Sequence, residues 1–145
     1  MIKEIKRVAT GAVVFASDEV GAKVLIVTST KNKDRWVLPK GGVEPDLEYI
    51  ENAAKETREE AGVAANLFDE VGRFECEGKE GWQLEVYYWG LFVSNVDWEE
   101  YAIRRKEWVS VPEAIRRLSV EQADIVVSAS YKHNAYAIDA TVSAK

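Results

Sequence analysis

Three glutamates, Glu56, Glu59 and Glu60, lie within the stretch 36–63, WVLPKGGVEPDLEYIENAAKETREEAGV. Residues three and four apart are neighbours on an α-helix, so this spacing gathers three carboxylates on one face. Like charges at such separations destabilise a helix by about 0.2–0.5 kcal/mol per pair, so something positive should compensate them. Hard divalent cations such as Mg2+ take oxygen ligands and are commonly held by one or two carboxylates together with substrate phosphates. An acidic helix face is more often a solvated surface, here with Glu51, Lys55 and Glu59 forming i, i+4 pairs. The flanking Lys40-Gly41-Gly42 and Gly62 favour the chemical reading, because they put a glycine turn opposite the carboxylates.

The elements that must position this face are legible from pattern. Ile50, Ala54, Thr57 and Ala61 share a second, mostly apolar side of the acidic helix. A strand over 8–16 is expected to pair with one over 24–30 across the turn SDEVGAK. Strands over 67–76 and 82–93 form a hairpin around the loop EGKEG, and Tyr87, Tyr88 and Trp89 divide between the two faces of the sheet by alternation. A short strand EWV precedes a helix beginning near Val111 and Pro112, where proline suits the first turn. A last helix covers about 119–140. Between 28 and 40, Lys31, Lys33, Arg35 and Lys40 face only Asp34 among acids, and Trp36 and Pro39 shape the turn and pack beneath it. Strands flanking an acidic helix and a closing helix give a single α+β domain over 1–145.

Residues 41–63 resemble the Nudix box, whose pattern is G, five residues, E, seven residues, then R-E-U-x-E-E-x-G-U with U aliphatic. Counting from Gly41, the residues Glu56, Glu59, Glu60, Gly62 and Val63 fall in register. Leu47 stands where the first glutamate belongs, with Glu48 one place late; Lys55 replaces the arginine, and Thr57 the first aliphatic residue. In the family that arginine orients a glutamate through a forked ion pair, which a lysine point charge does not reproduce. The stretches RVATGAVVF, VLIVTSTKNKDRWVLPKGGVEP and RRKEWVSVPEAIRRL together resemble the diphosphoinositol polyphosphate phosphohydrolases, over residues 7–118. These are Nudix enzymes acting on inositol pyrophosphates and diadenosine polyphosphates.

That resemblance implies a Nudix-type α/β/α sandwich with a mixed β-sheet between helices. It implies metal-dependent hydrolysis of phosphoanhydride bonds, with Mg2+ or Mn2+ held by Glu56, Glu59, Glu60 and the Gly41 carbonyl. Glu56 or Glu60 would orient or deprotonate the attacking water. Arg7, Ser29, Lys31 and Arg104 match polyphosphate-binding positions of the subfamily, and Lys40 adds a charge beside the glycines. Each also reads as an ordinary surface charge or strand hydroxyl. Near Glu121 and Gln122 relatives offer another basic residue, and its absence would loosen the grip on the most highly charged substrates. A nucleotide-directed Nudix hydrolase, acting on a dinucleoside polyphosphate, capped RNA or nucleoside triphosphate, is one alternative. A catalytically silent domain that binds a phosphorylated ligand, as Leu47 and Lys55 would allow, is another.

Composition bounds these readings. A chain of 145 residues, 47% hydrophobic and 30% charged, is one globular domain burying about two thirds of its unfolded surface. Its single cysteine, Cys76, excludes an intrachain disulfide, fits a reducing compartment and reads as a core thiol. A net charge of -6 argues against an extended nucleic-acid surface. His133, the sole histidine, reads as a surface residue, with no second histidine or cysteine to complete a zinc site. Lys3, Lys6 and Arg7 before VATGAVVFA imitate a signal peptide, but the run reads better as a strand. No apolar run reaches the length of a membrane span. The expectation is a cytoplasmic monomer or homodimer acting on a small-molecule polyphosphate.

Overall fold

A computed structural model of the chain describes residues 6–18, 21–29, 32–64, 67–77, 83–93 and 105–143. In chain order the elements are β1 (Lys6–Asp18), β2 (Gly21–Thr28), β3 (Trp36–Val37), β4 (Lys40–Gly42), α1 (Tyr49–Ala61), β5 (Leu67–Glu77), β6 (Gln83–Val93), β7 (Lys106–Ser110), α2 (Val111–Arg117) and α3 (Val120–Ser143). Alternation along the first two strands sets the layers. Val13, Phe15, Val24 and Ile26 feed one core, while Ala12, Val14, Leu25 and Val27 feed another on the opposite face. Near-continuous apolar runs of this kind belong to strands covered on both faces. The first core is closed by Ala114 of α2, by Leu118, and by Ile125, Val126 and Ala129 of α3; the second by Ala61 of α1 and by Val63. Each large buried side chain contributes about 1.5–3 kcal/mol of transfer free energy. The expected α/β/α sandwich follows from this two-sided burial.

The sheet runs β3-β2-β1-β6-β5, with β4 added to β1 and β7 to β2. It is mixed, since β1 pairs in parallel with β6 from Lys6↔Gln83 to Ala16↔Val93, while β5 pairs antiparallel with β6. The hairpin strands stand where the pattern puts them; the EGKEG loop lies outside the described residues. In β6, Tyr87, Tyr88 and Trp89 take register positions opposite Thr10, Gly11 and Ala12.

The placement of the glycine turn comes from a splay between β1 and β2. The two strands pair only from Phe15↔Val24 to Asp18↔Gly21, next to their connection. Beyond that point the segment 36–42 enters the gap: Trp36 and Val37 pair with Thr28 and Val27, while Lys40, Gly41 and Gly42 pair with Gly11, Thr10 and Ala9. Between them Ala12 N donates to the Pro39 carbonyl at 3.1 Å. The wedge is also held from the α3 side, where the buried Gln122 accepts from Leu38 N through Oε1 at 3.1 Å.

Local boundaries have local causes. Ser110 caps α2 by accepting from Glu113 N at 3.3 Å, with Pro112 in the first turn. α1 stops at Gly62, whose φ of 66° is left-handed backbone that glycine adopts without a Cβ penalty, and its N–H donates to the Arg58 carbonyl. Three expectations need correction. The buried side of α1 is Asn52, Ala53, Thr57 and Ala61, with Ile50 and Ala54 only half-buried; polar groups of the wedge draw Asn52 inward and turn the helix that way. β2 ends at Thr28 rather than 30, where it gives way to the turn that precedes β3. Trp36 packs half-buried against the first core, as a turn-shaping tryptophan should, whereas Cys76, expected as a buried core thiol, is only half-buried at the edge of that core. No described helix is long and apolar enough to cross a membrane.

Replacing Gln122 by leucine leaves the buried Leu38 N–H without this acceptor at nearly constant volume. Urea unfolding should register a loss of about 1–3 kcal/mol, the cost of an unsatisfied buried amide. A change too small to resolve would mean that another group satisfies Leu38.

Candidate functional site

Asn52 of α1 ties the helix to the glycine turn. Asn52 is fully buried; its Nδ2 donates to Thr10 Oγ1 at 2.9 Å, to the Gly42 carbonyl at 3.1 Å and, at the limit of reach, to the Gly41 carbonyl at 3.5 Å. Its Oδ1 accepts from Glu44 N at 3.1 Å. Val43 N completes the turn by donating to the Val8 carbonyl at 3.1 Å. Gly41 lies so close to α1 that a Cβ there would overlap the Glu56 carboxylate and push that side chain aside. Glu60 reaches the same turn, accepting from Lys40 N through Oε2 at 3.0 Å. Two of the three box carboxylates therefore sit against the turn.

Glu59 is held outward instead. Lys55 Nζ lies 2.8 Å from Glu59 Oε1 and 2.7 Å from Glu44 Oε1. The expected i, i+4 pair with Glu59 is present, and the second acid over Lys55 is Glu44 from the preceding loop. Hydrogen bonds to Glu44 first and Glu59 second push the Lys55 pKa well above its ordinary value. The departures from the box pattern thus have a local resolution. Leu47 is half-buried in a turn, its N–H donating to the Glu44 carbonyl at 3.2 Å, and Glu48 is an exposed N-cap with no side-chain capping bond. Glu44 brings the acid to Lys55.

Among the described residues no three His, Cys, Asp or Glu side chains are drawn into a ready-made metal cluster. Mutual repulsion spreads the carboxylates onto separate neighbours. Their donor chemistry nevertheless suits a hard dication. Carboxylate oxygens of Glu56 and Glu60 border a turn that presents a backbone carbonyl at Gly41, with Glu59 one helix position away.

The basic and hydroxyl positions are gathered only in part. Arg7 is exposed at the start of β1, two residues before Ala9, which pairs with Gly42. Ser29 follows β2 and donates its N–H to the Arg35 carbonyl at 2.8 Å, closing the turn that carries the exposed Lys33 and Arg35. Lys40 is half-buried on β4, and its charge and that of Glu121 are felt by the Cys76 thiol, whose pKa burial pushes up. Lys31 and Arg104 lie outside the described residues. The next residue, Arg105, stacks on one side of Trp36 and Arg117 also stacks on this ring, each 5.6 Å from its centroid. Lys106 donates to the Ala61 carbonyl at the end of α1, and partial burial lowers its pKa.

Sequence reasoning missed Asn52, Glu44 and Gln122. The first left a signal: Asn52 stands four residues before Glu56 and seven before Glu59, so it shares their helix face. Gln122, read as a place where a basic ligand was missing, is an internal strap.

The fold is similar to that of a C. elegans Ap4A hydrolase, with TM-score 0.74 and 21% identity over 88% of this chain and 98% of that one. It is also similar to a MutT protein from Methanosarcina mazei Go1, with TM-score 0.68 and 21% identity over 91% of this chain and 98% of that one. In sequence the chain is 38% identical over 100 residues to diphosphoinositol polyphosphate phosphohydrolase 2 of Rattus norvegicus, covering 66% of this chain and 54% of that protein. It is 37% identical over 98 residues to diphosphoinositol polyphosphate phosphohydrolase 3-beta of Homo sapiens, covering 66% and 60%. The chain thus spans little more than half the length of these relatives. Residues 5–130 match the NUDIX domain model, so the chain belongs to the Nudix family.

Proposed function

We propose that this Nudix domain hydrolyses phosphoanhydride bonds of densely phosphorylated small molecules, with diphosphoinositol polyphosphates as its substrate class. The observation that carries the reading is the seating of Glu56 and Glu60 against the Gly41 turn. The substrate class is supported by relatives 36–38% identical that are named diphosphoinositol polyphosphate phosphohydrolases.

A phosphoanhydride is shielded by its own negative oxygens, so attack by water needs charge neutralisation and water activation together. Glu56, Glu59, Glu60 and the Gly41 carbonyl would hold Mg2+ or Mn2+. When bound, such an ion supplies positive charge to phosphate oxygens and acidifies water. The chain's own residues do the rest. Glu56 or Glu60, fixed beside the turn, orients the attacking water and takes its proton. Arg7, Ser29, Lys40 and, from outside the described residues, Lys31 and Arg104 would grip the polyphosphate through charge-assisted hydrogen bonds. Both guanidinium contacts of Trp36 favour a ligand recognised by charge over one recognised by stacking a base.

Glu60→Gln and Glu59→Gln should each lower phosphate release from a diphosphoinositol polyphosphate by at least about 100-fold, since a lost metal contact removes several kcal/mol from the transition state. Circular dichroism should stay native, and chelator should abolish the wild-type rate. Turnover surviving either substitution would refute that glutamate's role. Diadenosine hexaphosphate run alongside decides the class: faster release from it would replace inositol pyrophosphates by dinucleoside polyphosphates, and binding without release from either would leave a silent domain.

Lys55→Arg tests the departure at the box arginine. A forked guanidinium can take both oxygens of Glu59 where the ammonium takes one, so kcat should rise by roughly twofold to fivefold with KM little changed. A fall in kcat would mean that the shared contact with Glu44 is the feature the site needs.

A further inference from the structure

We propose that Asn52 is a positioning residue for the cation site: its carboxamide fixes the Gly41–Gly42 peptide groups so that the Gly41 carbonyl is offered to a divalent cation beside Glu56 and Glu60. The inference rests on the cation reading proposed above and extends it to a residue outside the box consensus. A carboxamide has two N–H donors and one carbonyl acceptor. In Asn52 the two donors are claimed first by Thr10 Oγ1 at 2.9 Å and the Gly42 carbonyl at 3.1 Å. The Gly41 carbonyl, at 3.5 Å, receives the weakest share, so its lone pairs stay available while the peptide beside it is pinned.

The orientation of the amide is dictated by its neighbours. Reversed, it would set Oδ1 against the glycine carbonyl oxygens and Nδ2 against the Glu44 N–H, losing the bond to Glu44 N and facing like poles. Asn52 is fully buried, so such losses would go uncompensated by water. It also rides on the helix that carries the carboxylates, one turn before Glu56. Clamp and acids therefore move as one body. The carbonyl and carboxylate oxygens keep their separation only while the clamp holds.

Titration of the whole chain with Mn2+, followed by calorimetry at a temperature where each variant is folded, tests this without relying on turnover. Asn52→Ala should weaken Mn2+ binding by about 10–100-fold, the usual cost of removing a group that orients a metal ligand. Thr10→Val, which removes a side-chain anchor of the amide and leaves the backbone pairing of this position with Gly41 in place, should weaken it in the same direction by less. In turnover, the Mn2+ concentration for half-maximal rate should rise more than kcat falls. Wild-type affinity in Asn52→Ala, even with a lowered Tm, would overturn the proposal and leave Asn52 a purely structural residue; so would a wild-type chain that binds no Mn2+. Should Asn52→Ala fail to fold, unchanged affinity in Thr10→Val overturns it equally. Asn52-dependent Mn2+ binding without hydrolysis would uphold the clamp and defeat only the substrate reading.

Discussion

A fully buried carboxamide decides where the acidic face of α1 can sit. The partners of Asn52 belong to three separate pieces of chain: Thr10 in β1, Gly42 in β4 and Glu44 in the loop between β4 and α1. Sliding the helix along the sheet would strand several of them, and each stranded buried polar group costs about 1–3 kcal/mol. The wedge it grips is equally constrained. Leu38 N is held by Gln122, the Pro39 carbonyl by Ala12 N, Lys40 N by Glu60 and Val43 N by the Val8 carbonyl. Helices on opposite faces of the sheet thus hold one short segment from both sides. That is the rigidity a site needs if its groups are to be placed within a fraction of an ångström.

The same turn explains how an unfavourable cluster of carboxylates is tolerated. Glu60 takes a backbone N–H and Glu59 takes an ammonium, so each of these two charges has a partner of its own. Lys55 is the hinge of that arrangement. A compact ammonium on a flexible stem can be shared between acids from two directions, where a guanidinium prefers one planar partner. The two departures from the box therefore belong together: an acid missing at Leu47 and a lysine in place of arginine are reconciled by Glu44, which reaches Lys55 from the loop. A reader of the one-dimensional pattern sees two defects; in space there is one altered bridge.

What could be read from the chain and what could not divide along physical lines. The apolar runs of β1 and β2, the proline at the start of α2 and the helical spacing of Glu56, Glu59 and Glu60 are local, and each stands in the structure. The hairpin of β5 and β6 was equally local. The insertion of residues 36–42 between β1 and β2 was not, because it depends on two strands parting after their shared turn and on which edge each leaves open. Asn52 failed for a related reason. Asparagine on a charged helix face looks solvated until the sheet it meets is known to offer two carbonyls and a hydroxyl. Gln122 was judged by the charge it lacks, whereas burial gives it a backbone partner 84 positions away.

Electrostatics and the aromatic inventory bear on which ligands such a site can accept. A chain of net charge -6 would seem a poor host for a polyanion, but at physiological salt charges more than about 8 Å apart are largely screened. Local cations matter more than the total. Lys33, Arg35 and Arg105 are exposed where β2 gives way to β3, the end of the sheet at which the glycine turn also lies. Trp36 stands among them, but it is half-buried and holds Arg105 and Arg117 against its ring, and Arg117 is tied in turn to Glu107 and Glu113. A nucleobase stacking on that ring would compete with two guanidinium groups already placed over it. A ligand that presents phosphates alone asks nothing of Trp36 and can use the cations as they stand.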